Sequence, residues 1–448
     1  MATVASSDTY GEANPRLFAA VFFLAPLITS IIPRLSPAAI ALVGASLVLA
    51  AFRRGGSWRE FFVPSAAFIA CLVFSIYVLL NASWAWNQSA GIAKASLLLG
   101  AILLVFASAT AINKLSERHI HLAAIAFIAG AALGGLYLLL QMLTDGAITR
   151  FVMNTIPMVR PDNTKRISIV HGEVRRINLN TLNQNVTLLM LHVWPGILML
   201  SAVARPQWRK PMIALFFGTS AAVILLSKHD SSQLALLGSA LIFLLARKWY
   251  SQTIRGLAVL WCLGFALILP LSFAAYDAGL HLSQSLPLSY KARIIIWEYT
   301  SEKTLEHPWV GVGVNSTRER DNAHERETHP SEQPEGFVFK RTTGHHAHSL
   351  FLQTWYELGA VGAVLLALAG ALVVLRSSRL PKHAQPFAAA TFATFAIIAA
   401  FAWGAWQTWW LCAGALAAVY LCLGASPFRA APDPTDLSST PGTSGRAG

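Results

Sequence analysis

Apolar residues in this chain gather into long, nearly unbroken runs instead of recurring at the spacing of a strand face or a surface-helix stripe. A helix needs roughly 17 to 25 such residues to cross about 30 Å of hydrocarbon, where every peptide group must be satisfied within the segment. Twelve candidate segments lie near 17–33, 35–52, 61–81, 90–112, 120–142, 186–204, 211–227, 233–246, 256–275, 349–375, 387–402 and 409–424, those at 233–246 and 387–402 being short. Most connections between them are brief, but 143–185 and 276–347 are not. Connections of that length in a compact protein usually carry function or lack fixed structure. The chain therefore divides into an N-terminal segment 1–16, helices over 17–142, a loop 143–185, helices over 186–275, a large loop 276–347, helices over 348–424 and a tail 425–448. The expected fold class is an all-α polytopic membrane protein of about twelve transmembrane helices, with short helices in the large loop between the ninth and tenth. Inside that loop Ser289 to Leu305 reads as a helix, ended by Pro308 and the glycines Gly311 and Gly313. Arg318 to Glu335 is densely charged and reads as a mobile surface excursion, and the tail, rich in Pro, Ser, Thr and Gly, as a disordered cytoplasmic end.

Composition agrees with this pattern. Of 448 residues 55% are hydrophobic and only 12% charged, with mean hydropathy +0.53, against roughly 25% charged in soluble domains. Charge also sets orientation. If odd-numbered spans run outward, the inner short loops hold fourteen basic residues, among them Arg53, Arg118, Arg209, Arg247 and Arg379, while the outer short loops hold only Arg34 and Lys228. The positive-inside rule then places both termini in the cytoplasm. The net charge of +13 is thus largely a matter of topology, and a nucleic-acid partner is not expected. No small-residue cleavage site follows the first span, which reads as a retained helix. Cys71, Cys262, Cys412 and Cys422 all fall inside spans, where a thiol is packing material and neither disulfide nor metal ligand. Walker, dinucleotide and His-Glu-x-x-His patterns are missing, so no nucleotide or other cofactor is expected and ATP-driven transport is disfavoured. Ionisable residues are almost missing from the spans, Lys94 and Glu357 being the main exceptions, which argues against an ion-coupled transporter.

The candidate chemistry lies on the outer side. The loop 143–185 carries Arg150, Arg160, Lys165, Arg166, Arg175 and Arg176 against Asp145, Asp162 and Glu173, a surplus of three positive charges where topology disfavours them. Such a surplus asks for an anionic partner, either membrane headgroups or a lipid pyrophosphate, whose oxygens match the guanidinium fork. Arg175 and Arg176 rank first because they lie nearest the return to the membrane at Asn185. In the second loop Arg293 and Trp297 share a helical face, and Arg293 could meet an anion or pair with Glu298. A polar turn, Ser227-Lys228-His229-Asp230-Ser231-Ser232-Gln233, offers Lys228 to the same pocket or merely caps a helix.

The most pointed signal opens the tenth span: His348-Ser349, nine residues, Gly359, two residues, Gly362. Imidazole titrates closest to neutrality, so a histidine at a water–lipid boundary can take a proton from a hydroxyl or can simply cap the helix. His345 and His346 beside it raise the idea of a metal, but neighbouring histidines in a turn rarely converge on one ion and no acidic partner has ligand spacing, so none is expected.

Together, Ser227 to Gln233, Arg293-x-x-x-Trp297, His307-Pro308-Trp309-Val310-Gly311-Val312-Gly313 and the His348-Ser349-x9-Gly359-x-x-Gly362 motif resemble the O-antigen ligase and polymerase superfamily over about 220 to 375. Ala363 departs from the Thr or Val usual in the ligases of that family. The resemblance implies an inverting, metal-independent glycosyl transfer at the periplasmic face of the bacterial inner membrane. The donor would be O-antigen polysaccharide on undecaprenyl pyrophosphate and the acceptor a sugar hydroxyl of lipid A-core. His348 would be the general base, Arg175, Arg176, Arg293 and Lys228 would hold the pyrophosphate, and Ser349, His346 and Trp297 would support them. The alternatives are an O-antigen or exopolysaccharide polymerase using the same donor, a protein O-oligosaccharyltransferase, disfavoured by the lack of an added soluble domain, and a polysaccharide transporter, disfavoured because polar residues gather on one face.

Overall fold

A computed structural model of the chain describes residues 14–160, 167–323, 327–328 and 340–428. The expectations for Lys165 and Arg166, for most of the charged stretch beyond Ala323 and for the tail from 429 onward lie outside the described residues.

The described chain is overwhelmingly helical. In order it forms α1 (Pro15–Ile31), α2 (Ser36–Arg53), α3 (Trp58–Phe61), α4 (Ala66–Asn81), α5 (Gln88–Ala111), α6 (Glu117–Leu143), α7 (Ala147–Thr155), α8 (Asn183–Val203), α9 (Pro206–Leu226), α10 (Asp230–Asp277), α11 (Leu288–Thr304), α12 (Thr317–Ala323), α13 (Leu350–Arg376), α14 (Gln385–Phe401) and α15 (Thr408–Ala425). Among the described residues nine helices are long and apolar enough to cross a membrane, and α1 and α14, at 17 residues each, are shorter apolar helices. This is a multi-pass membrane protein. The runs expected at 233–246 and 256–275 are one element, α10, bent at Trp249 where the backbone leaves helical values (φ −134°, ψ 57°).

Two features were not expected of an all-helical chain. The basic loop contains a hairpin, β1 (Ile167–Val170) and β2 (Glu173–Ile177), closed by His171-Gly172, both at positive φ as a tight two-residue hairpin turn requires. A second, minimal hairpin pairs β3 (Glu327–Thr328) with β4 (Lys340–Arg341). The helix expected at 289–305 is α11, and α12 occupies the start of the stretch expected to be mobile.

Packing centres on α8, in which every residue from Asn185 to Leu200 is buried. Small residues allow the close helix contacts: a Cβ at Gly130 of α6 would lie 2.1 Å from the carbonyl oxygen of Phe23 on α1. At one end of the bundle, long-range hydrogen bonds draw the connections together. Asn185 donates to the carbonyls of Ser30 (2.8 Å) and Ile31 (3.0 Å), Trp403 Nε1 to Thr187 Oγ1 (3.1 Å), and Asn81 Nδ2 to the carbonyl of Val310 (2.8 Å).

The glycine motif is legible at this end. Gly359 interrupts α13 at φ 64°, ψ −168°, a region essentially open to glycine alone. The break frees backbone groups on both sides, and the segment 308–313 satisfies them. Val312 and Gly313 donate to the carbonyls of Tyr356 (3.1 Å) and Glu357 (2.9 Å), while Ala360 and Val361 donate to those of Pro308 (2.8 Å) and Trp309 (3.1 Å). The strands of chain approach so closely that a Cβ on Gly311 would meet the carbonyl carbon of Glu357 at 2.3 Å, and one on Gly359 that of Trp309 at 2.3 Å. Pro308, Gly311 and Gly313 therefore do more than end a helix: they lock the first arm of α13, Leu350 to Leu358, in place.

Candidate active site

That first arm lies across the turn between α14 and α15, residues 402–407. Three contacts mark its course: His348 Nδ1 lies 3.0 Å from the carbonyl oxygen of Ala402, Gln353 Oε1 accepts from the N–H of Ala405 at 2.9 Å, and Glu357 accepts from Trp406 Nε1. Glu357 is fully buried. It also accepts from the N–H groups of Asn315 (3.0 Å) and Thr317 (2.9 Å), from the Thr317 hydroxyl and from Gln353 Nε2 (3.2 Å). So many donors compensate the burial of a carboxylate and make it a clamp holding the arm, the turn and the start of α12 together.

His348 sits just before the N-cap, Ser349, whose hydroxyl accepts from the N–H of Leu352 at 3.5 Å. Its backbone is left-handed, with φ 52°, unusual for a residue bearing a side chain and often found where function holds it. The turn is fixed from two sides. Trp297 Nε1 donates to the carbonyl of Ala347 at 2.8 Å, and the N–H of His348 donates to Nδ1 of His346 at 3.2 Å, with the two rings 4.0 Å apart. A carbonyl can only accept, so the proton of neutral His348 is on Nδ1 and the lone pair on Nε2 is left for chemistry.

The same turn receives the segment after α9. Ser231 Oγ donates to the carbonyl of Phe401 at 3.3 Å, the ring of His229 lies 5.5 Å from that of Trp403, and Gly404 is so close to His346 that a Cβ there would meet that of His346 at 2.7 Å. Residues 401 to 404 thus gather His229, His346 and His348. Arg293, half-buried on α11, lies over the Tyr290 ring at 5.5 Å, and its charge bears on all three imidazoles. Burial, then Arg293, hold His348 and His229 down to about 4. Burial, then the neighbouring His348 and His345, then Arg293, hold His346 at about 3. All three are neutral at neutral pH.

The structure therefore brings His348, Ser349, His346, Trp297 and Arg293 together. Pairing of Arg293 with Glu298 is not found, because Glu298 is engaged by Arg341 at 2.8 Å, and among the described residues Arg293 has no ion-pair partner. Asp230 acts on it only at longer range, and burial weighs against its charge. Lys228 is exposed on the turn before His229. Arg175 and Arg176 stand exposed on β2, Arg175 paired to Glu173 at 3.1 Å, and no contact among the described residues joins either to the imidazoles. No cluster of three or more metal-ligating side chains occurs among the described residues. Sequence reasoning quoted His229 in the polar turn without giving it a role, and passed over Trp403 and Gly404. The available signal was the aromatic density of Trp403, Trp406, Trp409 and Trp410 where two spans meet.

Fold and site together describe a multi-pass membrane protein that gathers three imidazoles and a half-buried guanidinium at one end of its helix bundle. Residues 213–367, about a third of the chain, match the family described as O-antigen ligase, a match consistent with the O-antigen ligase and polymerase superfamily, whose members are glycosyltransferase-like enzymes acting on lipid-linked polysaccharides. No curated protein matches the chain.

Proposed function

We propose that the protein is an O-antigen ligase: it transfers O-antigen polysaccharide from undecaprenyl pyrophosphate to a sugar hydroxyl of lipid A-core, at the periplasmic face of the inner membrane, with inversion and without a metal. The observation that carries the reading is the 3.0 Å approach of His348 Nδ1 to the Ala402 carbonyl oxygen. Its Nδ1–H is held by the Ala402 carbonyl, which leaves Nε2 as a base beside the charge of Arg293. In the reaction the acceptor hydroxyl gives its proton to Nε2 as its oxygen bonds to the anomeric carbon. The bond from that carbon to the pyrophosphate oxygen breaks, the electron pair leaves with the pyrophosphate, and Arg293 offsets the charge. Lys228, Arg175 and Arg176 are the outer cations that meet the donor on its way in.

The lipid part of the substrate suits the bundle. Leu350, Thr354 and Trp406 line an apolar cavity of about 370 Å³ that runs on to Val374 and Ser377. In this reading both arms of α10 and the shorter α1 and α14 cross the membrane, giving twelve crossings with both termini cytoplasmic.

The test is transfer in vitro with purified protein, undecaprenyl-pyrophosphate-linked glycan and lipid A-core, with and without EDTA. Glycan on lipid A-core in EDTA is expected, and His348→Ala should lower the rate by about 10² to 10⁴ while the folded protein persists in the membrane. Glycan that lengthens on its own lipid carrier while lipid A-core stays unmodified would make the protein a polymerase.

A further inference from the structure

Three imidazoles converge on one turn, and what faces each Nδ1 decides what it can do. His348 faces a carbonyl, so its Nδ1 is always a donor and any proton it takes goes to Nε2, the base of the transfer step. His346 faces the N–H of His348, so its Nδ1 is always an acceptor, and protonating it would set a donor against a donor and open the turn that holds the base. His229 faces the hydroxyl of Ser232 at 2.6 Å, and a hydroxyl can either donate or accept. His229 alone can take on or give up a proton at Nδ1 without losing its hydrogen bond.

The charges around His229 are few. The titratable groups on the elements that meet at this turn are Tyr290 and Arg293 of α11, Asp230 in the first turn of α10, Lys228 beside His229, and His345, His346 and His348 before α13; residues 401–407 bring no titratable group. The one full positive charge that bears on the ring is Arg293, and Trp403 covers the ring. In the empty site burial and Arg293 both disfavour a second cation. An anion lying against Arg293 would cancel that repulsion and add attraction.

We propose that His229 takes up a proton from solvent when the lipid pyrophosphate binds, giving the site a second cation beside Arg293, and releases it when the pyrophosphate leaves. This rests on the pyrophosphate-donor reading above and goes beyond it, since it assigns His229 as a donor-binding residue. The chemistry recognised is a diphosphate ester or free diphosphate on a lipid, and no proton is consumed over a full cycle.

The experiment is calorimetric titration of the full chain in lipid nanodiscs with undecaprenyl pyrophosphate. Each titration is repeated in two buffers of different ionisation enthalpy at several pH values between 5.5 and 8, so that protons taken up per ligand bound are counted. Wild type is expected to take up more protons than His229→Gln, by up to about one, and to bind up to about tenfold tighter per pH unit of acidification over part of the range, beyond the ligand's own titration. Ser232→Ala, which keeps the imidazole but removes its two-way partner, is expected to reduce the uptake and serves if His229→Gln does not fold. Uptake unchanged in both variants, with binding intact, overturns the assignment of His229 and leaves the donor reading standing. No binding by wild type at any pH sinks the donor reading and the inference with it.

Discussion

His348 is held neutral by its surroundings and oriented by a carbonyl, and both facts bear on pH. An imidazole at about 4 keeps its lone pair well below the ordinary value of about 6.5. The acid limb of kcat/KM for the donor, which reports groups of the free enzyme, should therefore fall below pH 6.5, and a limb centred at or above that value would show that the base is another group. Stability follows the same sign. The folded pKa values of His229, His346 and His348 are depressed, so between about 4 and 6.5 the unfolded chain binds more protons than the folded one. Their contribution is complete above the unfolded value and is lost as pH falls through that window. Thermal unfolding in detergent should shift to lower temperature from pH 6.5 to 4.5, and the shift should shrink when His346 is replaced by Asn. At this scale the sequence was informative about His348, because the motif announces it. It was silent on proton position, since the deciding carbonyl belongs to Ala402, more than fifty residues along the chain.

At the scale of elements, the site depends on one broken helix and one crowded turn. Hydropathy located α13 and the glycine spacing marked it, but a hydropathy run cannot reveal that Gly359 divides it, because both arms are apolar. The lock needs the segment 308–313, which the sequence suggested only as a helix stop. Gly359→Ala places a side chain in a glycine-only conformation, at a cost of about 1 to 3 kcal/mol, and drives a Cβ into the Trp309 backbone at 2.3 Å. It should lower both the folded fraction and transfer. Gly404→Ala is the sharper probe. Its Cβ would meet that of His346 at 2.7 Å and Gln353 Oε1 at 3.2 Å, without the glycine-only backbone of Gly359, so turnover should fall further than protein yield. Equal losses of yield and turnover would show that the turn serves only stability. Glu357→Gln puts an amide N–H₂ among donors and should lower the unfolding temperature, with about 1 to 3 kcal/mol lost for each buried donor left unpaired.

At the scale of the whole molecule, hydrophobic runs were enough to place the helices within a few residues, because the membrane leaves a chain few options. They could not say which ends meet, and the site is made where the starts of α8, α10, α13 and α15 come together with α11. This separates two kinds of cation that look alike in sequence. Arg293 is half-buried against the imidazoles, whereas Arg175, Arg176 and Lys228 are exposed. Exposed charges act through a field that salt screens over about 8 Å at physiological ionic strength, while a partly buried charge in contact with its ligand is screened much less. Arg176→Gln should therefore raise the donor KM at low salt and lose its effect at about 0.5 M salt, where the Debye length is only a few ångströms. Arg293→Gln should depress turnover at both. If the two variants respond alike to salt, Arg293 is acting from a distance, and the leaving pyrophosphate must be met by another group.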